Sequence, residues 1–298
     1  MGFIFQWIKD LQEFYSWADS ISDARTAKWL FVPSIFSPVA FVVTYLFLIW
    51  MLPRVMKNKE PFQLKSLLLI YNAAMVLLNF YIAIEAFLSS AAAGYSYSCQ
   101  KFSMSFNPRE LRVTSVLWWF YFSKFVELLD TIFFLLRKKN NQVSFLHVYH
   151  HTSMVCLWWI GIKWVPNGQA FLGAMVNAMV HAIMYTYYGL SALPYLRKYL
   201  WWKKHLTQIQ MAQFLLLLIH ALASLYVECD YPLWMKYTFI GYMVSFLILF
   251  SNFYIHAYFA KKYGKREPDK ANAEAVTNSD VLANGVAGPQ QVQEKKNI

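Results

Sequence analysis

His147, His150 and His151 fall within the stretch FLHVYHHTSM, residues 145–154, and are three of the chain's seven histidines. On a helix, spacings of three and four place all three imidazoles on one face. Neutral imidazole is a metal ligand, a general base and a nucleophile, so three chemistries are open to that face. Other polar groups repeat the pattern. In KFVELLDT, Lys124, Glu127, Asp130 and Thr131 stand at offsets of three, six and seven from the lysine, again one helical face. NAMVHAIMYTYY carries Asn177 and His181 four residues apart, then Met184, Tyr185, Tyr187 and Tyr188; TQIQMAQ carries Thr207, Gln210 and Gln213 three apart.

These groups occur where polarity is costly. The chain has 298 residues, 58% hydrophobic and 14% charged, a composition outside that of ordinary soluble domains. Apolar stretches long enough to cross a hydrocarbon core recur at 32–52, 66–90, 114–136, 143–162, 168–190, 206–228 and 234–258. The expected fold is therefore all-α, a polytopic membrane protein of seven transmembrane helices, with the polar stripes in its third to sixth spans. Residues 1–30 begin MGFIFQWIKDLQEFYSW, which lacks the basic region and cleavage site of a signal peptide and reads as an amphipathic surface helix. Gly2 begins a myristoylation pattern that Gln6 breaks. Residues 31–260 make the membrane domain, and residues 261–298, poor in large apolar side chains, read as a disordered tail. The tail ends Lys295, Lys296, Asn297, Ile298, which matches the dilysine spacing of endoplasmic-reticulum retrieval signals.

Loop charge orients the spans. With the tail cytosolic, the cytosolic segments hold 18 Lys and Arg against 8 on the opposite side. The N-terminus is then expected in the lumen. Cys99 and Cys229 both fall on the lumenal side, where they are candidates for a disulfide, whereas Cys156 lies inside the fourth span. With this orientation the helix directions set the depth of each stripe. The histidines enter about 6 to 12 Å from the cytosolic side at roughly 1.5 Å per residue. Asp130, His181 and Gln210 reach comparable depth from their own helices. Four stripes thus meet in the cytosolic half of the membrane, beneath basic loops that include Arg137, Lys138, Lys139, Lys203, Lys204, Lys261, Lys262 and Arg266. Those cations suit an anionic substrate as well as lipid headgroups.

Ionisable groups inside a span default to function. A metal-dependent lipid desaturase or hydroxylase is one reading, but a two-iron site held mainly by imidazoles needs more histidines, in more boxes, than this chain offers. A single metal needs three or four ligands, so that reading stays open. The second reading is covalent. A neutral imidazole attacks a thioester to give an acyl-imidazole, which persists where water is excluded, while the amides and hydroxyls of Asn177, Gln210, Thr207 and the tyrosines stabilise a developing oxyanion. A third reading, a seven-span lipid binder or transporter, gives no reason for the clustered histidines.

Taken in order, Lys124-x-x-Glu127-x-x-Asp130-Thr131, His147-x-x-His150-His151, Asn177-x-x-x-His181-x-x-Met184-Tyr185-x-Tyr187-Tyr188 and Thr207-x-x-Gln210-x-x-Gln213 resemble the ELO family of endoplasmic-reticulum fatty acid elongases over about residues 30–260. LRKKNNQVSFLHVYHH and WWIGIKWVPNGQAF are similar to its vertebrate branch acting on very-long-chain and polyunsaturated acyl chains. The resemblance implies a 3-ketoacyl-CoA synthase that condenses acyl-CoA with malonyl-CoA, releasing CO2 and CoA, with no cofactor and no metal. It implies seven helices, six of them around an acyl-chain tunnel, His150 as acyl acceptor and His181 as its assistant. Lys124, Glu127, Asp130, His147, His151 and Asn177 are then expected in the catalytic set. Thr131, Tyr185, Tyr188, Thr207, Gln210, Gln213 and the basic loop residues are expected at the substrate. Expected partners are membrane lipid, the ketoreductase, dehydratase and enoyl reductase of the elongation cycle, and further elongase subunits, with no nucleic acid.

Overall fold

The structure is a computed structural model that describes residues 2–227 and 229–260. The tail, with Lys261, Lys262, Arg266, Lys295 and Lys296, lies outside the described residues. Among the described residues all regular structure is helical: α1 (Gly2–Ser20), α2 (Phe36–Val55), α3 (Lys65–Ala92), α4 (Pro108–Glu127), α5 (Leu129–Leu136), α6 (Phe145–Trp164), α7 (Ala170–Ser191), α8 (Lys203–Tyr226) and α9 (Leu233–Tyr254). Five helices, α2, α3, α7, α8 and the one starting at Leu233, are long and apolar enough to cross a bilayer by length and composition. The expected third and fourth spans are α4 with α5, and α6. Their hydropathy is lowered by Lys124 and Glu127 in the one and by three histidines and Lys163 in the other. The protein is a polytopic membrane protein whose most polar spans are held among its apolar ones, where backbone and side-chain polar groups find partners in protein rather than lipid.

α3 runs along both α7 and α4, α4 packs on α6, α7 on α8, and α2 lies against α5 and α6. Buried residues make up 61% of the apolar window of α7 but 11% of that of α2, so α7 is an interior helix and α2 presents a lipid-facing surface. The third span is not continuous. Leu128 N donates to Phe125 O at 3.2 Å, a tightened turn that separates α4 from α5 between Glu127 and Leu129. α6 starts at a serine cap: Ser144 Oγ accepts from His147 N at 3.2 Å, which fixes the helical register of the histidine face from its first turn. α8 begins at Lys203, so Lys203, Lys204 and His205, expected in a loop, occupy its first turn.

At the opposite end of α6 a polar assembly ties the loops together. Lys163 Nζ donates to Pro33 O at 2.7 Å and pairs with Asp19 at 2.6 Å, and Trp164 Nε1 donates to Ala18 O at 2.7 Å. These bonds anchor the C-terminal end of α1, whose Phe3, Ile4, Trp7 and Leu11 remain exposed. Asn167 Nδ2 donates to Ser103 O at 2.7 Å and to Glu110 Oε2 at 2.9 Å. Cys99 and Cys229 are disulfide-bonded with a Cα–Cα distance of 5.6 Å across a sequence separation of 130 residues. Closing a loop of that length restricts the unfolded chain by about 5 kcal/mol. Replacing both cysteines with serine is therefore expected to lower the melting temperature of the detergent-solubilised protein, and an unchanged melting curve would contradict this.

Candidate functional site

The polar stripes meet, and the break after Glu127 divides the work of the third span. Before the break, Lys124 and Glu127, each about 1% exposed, form an ion pair at 2.7 Å. Both also reach α7: Lys124 Nζ donates to Asn177 Oδ1 at 3.4 Å, and His181 Nδ1 lies 3.2 Å from Glu127 Oε1. The carboxylate of an ion pair only accepts, so His181 carries its proton on Nδ1 and leaves Nε2 with a free lone pair. After the break, Asp130 Oδ2 accepts from Tyr185 Oη at 2.6 Å, again toward α7. Thr131 turns elsewhere, with its Oγ1 2.8 Å from Tyr45 Oη of α2 and 2.7 Å from His147 Nε2 of α6.

The three α6 histidines differ in their surroundings. His147 and His151 lie 4.3 Å apart between ring centroids with their planes tilted by 59°, and His151 is buried, 6.4 Å from Tyr45. His150 stands edge-on to His151 at 5.2 Å and faces His181 across the α6–α7 contact at 6.1 Å, with ring planes 30° apart. Phe246 of α9 covers its other side at 5.3 Å. Among the described residues no hydrogen bond reaches the His150 ring. That ring lines a cavity of about 350 Å³ that Asn177 and Gln213 share at the same end and that Phe120, Met154, Phe214 and Tyr242 continue. The cavity walls come from α4, α6, α7, α8 and α9, and its volume is that of a small-molecule site. Gln213 is buried there with no hydrogen-bond partner for its Oε1.

The remaining expected site residues are more peripheral. Gln210 Nε2 donates to Met184 Sδ at 3.5 Å, which links α8 to α7. Tyr188 packs edge-on against Tyr185 at 6.0 Å. Thr207 is buried on α8, and no hydrogen bond ties it to the network among the described residues. Lys138 and Lys139 are exposed, Arg137 is half-buried, and Lys138 Nζ donates to Lys57 O at 3.1 Å. Lys203 and Lys204 are also exposed, so these cations border the site's end of the bundle rather than entering the network. Among the described residues, no group of three His, Cys, Asp and Glu has the arrangement of a metal centre; the histidines instead face one another, Thr131, Glu127 and the cavity.

Three contributors escaped the sequence reading. Tyr45 is one of three hydroxyls in the mostly apolar α2, and its bond to Thr131 is what gives α2 a part in the site. Tyr71 of α3 packs on Tyr185 at 6.1 Å and donates to Val126 O at 3.3 Å, supporting the chain at the break. Phe246, which covers His150, comes from a span without the ionisable stripe of the others.

Chemically, the arrangement offers one unbonded imidazole at the mouth of an apolar cavity, a second imidazole with an oriented tautomer, and amides from two helices. The sequence matches the ELO (GNS1/SUR4) family over residues 30–266. It is 49% identical over 281 residues to very long chain fatty acid elongase 4 of Homo sapiens, covering 94% of this chain and 87% of that protein. It is 42% identical to very long chain fatty acid elongase 2 of Rattus norvegicus, over 89% of this chain and 96% of that one. Against very long chain fatty acid elongase 5 of Xenopus laevis the identity is 41%, with coverage of 86% and 88%. With the match running through every helix that builds the histidine site, from α2 to α9, the chain belongs to the ELO (GNS1/SUR4) family of very-long-chain fatty acid elongases.

Proposed function

We propose that the protein is a 3-ketoacyl-CoA synthase that joins a long acyl-CoA to malonyl-CoA through an acyl group held on His150. The observation that carries this reading is His150 itself, unbonded and lining an apolar cavity while His181 stands beside it with Nε2 free. In the first half-reaction a ring nitrogen of His150 attacks the thioester carbonyl, and CoA leaves as a thiolate. The ring proton released as the acyl-imidazole becomes neutral passes through His181 Nε2 to the departing sulfur. In the second, malonyl-CoA loses CO2 to give the acetyl-CoA enolate, whose carbon attacks the acyl carbonyl. A carbon–carbon bond forms, the carbon–nitrogen bond breaks, and the departing ring nitrogen takes up one proton from water, relayed through His181, so that imidazole returns neutral. The amides of Asn177 and Gln213 serve the oxyanions of both steps. Lys124 holds Asn177 by its oxygen and so leaves its NH2 group to donate.

The half-buried Arg137 and the exposed Lys138, Lys139, Lys203 and Lys204 would meet the CoA phosphates. The site end of the bundle is then cytosolic and the disulfide end lumenal, as the Lys and Arg bias and the Cys99–Cys229 bond support. Pairing of Cys99 with Cys229 on the lumenal side supports residence in the endoplasmic reticulum. The 3-keto product must be consumed by a carbonyl-reducing enzyme before another round can begin.

Purified protein given acyl-CoA and malonyl-CoA, with no reductant, is expected to form 3-ketoacyl-CoA two carbons longer, read by mass spectrometry. Initial velocities should follow a ping-pong pattern, because the first CoA leaves before malonyl-CoA reacts. No product from folded protein would overturn the synthase reading; intersecting velocity lines would overturn the acyl-enzyme.

A further inference from the structure

The cavity is shorter than a very long acyl chain. Its lining runs from His150 to Ile160 on α6, from Gln213 to Ser224 on α8 and from Phe246 back to Trp234 on α9. Ten to twelve helical residues at 1.5 Å each give a depth of about 15 to 18 Å. Carbon–carbon bonds of about 1.5 Å advance an extended chain by roughly 1.3 Å each, so about a dozen carbons reach from His150 to the far end. What happens to the rest is a question the walls answer.

The far end is polar and tied shut. Lys236 is buried, and its Nζ donates to Ser224 O at 3.0 Å and Cys229 O at 2.9 Å. Gln169 places a buried, unpartnered Oε1 beside the disulfide, with its Nε2 3.8 Å from Cys229 Sγ. Pushing a methyl terminus through this plug would strip hydrogen bonds from a buried ammonium, a costly exchange for a hydrocarbon.

The side wall between α8 and α9 is open by comparison. Packed helices lie 8–10 Å apart axis to axis, and among the described residues α9 approaches the backbone of its neighbours at a few points at most, whereas α3 and α7 run together along their length. Its side-chain ties lie at the two ends: Phe246 to Phe214 at 5.0 Å, Tyr242 Oη to Ser153 Oγ at 2.7 Å and Ser245 Oγ to Tyr149 Oη at 3.0 Å near the histidines, and Lys236 to Ser224 at the plug. Nearer the plug, Thr238 and Trp234 line the cavity and are exposed on the outer surface as well, the indole by 48%. On α8 the same cavity is lined by Ala221, a small and buried side chain. A residue that borders both cavity and exterior marks an opening, and the exterior at this height is apolar, with Ile219 58% and Leu222 40% exposed.

We propose that the seam between α8 and α9 is a lateral outlet for the acyl tail. Carbons beyond about the twelfth leave the cavity between Ala221 and Thr238, beside Trp234, and lie in the bilayer. The inference rests on the cavity being the acyl site. It makes Ala221 and Thr238 specificity-determining positions: once the tail is in lipid, added methylenes exchange lipid for lipid and carry no penalty, whereas a closed pocket would have to find room for each one.

The test uses the full chain in lipid nanodiscs with saturated acyl-CoAs in two-carbon steps, from shorter to much longer than the cavity. Thr238→Trp, which fills the seam, is expected to lose about tenfold or more in kcat/KM on chains longer than the cavity relative to its own kcat/KM on chains that end inside it. Short-chain turnover is its own control for folding, and Ala221→Phe is a second plug from the opposite wall. In the wild type, a long acyl-CoA with a photoreactive diazirine at its terminal carbon should label lipid or the outward face of α8. Labelling confined to Gln169, Tyr231 and Lys236 would overturn the outlet, as would seam-filling variants whose losses do not depend on chain length. Absence of turnover on every acyl-CoA by the wild type would instead overturn the synthase reading itself.

Discussion

His150→Ala is expected to lower kcat for condensation by at least about 10³-fold while leaving the fold intact. The stability half of that expectation follows from what the ring lacks. Among the described residues it makes no hydrogen bond, and it is half-buried, so truncation forfeits ring contacts with Phe246 and His181 worth about 1 kcal/mol. His151→Ala is the contrasting variant. His151 is buried between His147, His150 and Tyr45, so its removal leaves a cavity inside the α2–α6 contact and should cost about 2–3 kcal/mol along with activity. Thermal unfolding in detergent separates the two. A second readout isolates the acyl step: wild-type protein mixed with acyl-CoA alone should release CoA in an amount matching the enzyme and hold the acyl group in a hydroxylamine-sensitive bond. His150→Ala should do neither. Stoichiometric CoA release by that variant would move the acceptor role to another residue.

Helix-forming stretches and their polar faces were legible from the sequence because both follow from local rules. A span must be apolar and about twenty residues long, and an i, i+3, i+4 pattern fixes a face. His147, His150 and His151 therefore announced themselves, as did Asn177 with His181. The break at Leu128 did not, because KFVELLDT holds no proline or glycine to mark it. Its consequence is that Thr131, seven residues from Lys124 and so expected on the same face, turns to Tyr45 and His147 instead of α7. The cavity was equally hidden. Its walls are apolar side chains from five helices, and nothing in Met154, Phe214 or Phe246 distinguishes a cavity lining from a packed core before the helices are placed.

The distribution of hydrogen bonds also separates residues that the sequence ranked together. Gln210 and Gln213 are three apart on α8, but Gln210 is engaged with Met184 whereas Gln213 meets the cavity with an unpartnered oxygen. A buried amide left short of partners next to an unbonded imidazole is under-satisfied until a substrate supplies the missing group. Gln210 joins α8 to α7, a positioning task that a methionine or leucine of similar shape would largely meet.

Removing Lys124 alone should destabilise the protein and removing it together with Glu127 should not, yet both should lower turnover. Lys124→Met strands the Glu127 carboxylate, about 1% exposed, with only His181 to answer it, and breaking a buried pair from one side costs about 3–5 kcal/mol. The double variant Lys124→Met with Glu127→Leu removes both charges and their desolvation cost. Because Glu127 Oε2 already lacks a hydrogen-bond partner, the apolar pair should restore the melting temperature to near the wild-type value. Activity should not return with it. Glu127 is the acceptor that keeps the His181 proton on Nδ1, and Lys124 is the donor that turns the Asn177 amide nitrogen toward the cavity. Without them His181 samples the wrong tautomer and Asn177 loses its orientation, so kcat should remain down by about 10²–10⁴-fold, as for other bases deprived of an orienting carboxylate. A double variant that is both stable and active would reduce the Lys124–Glu127 pair to a strut between α4 and α7. One that is stable and inactive makes it the device by which the third span controls the proton on α7.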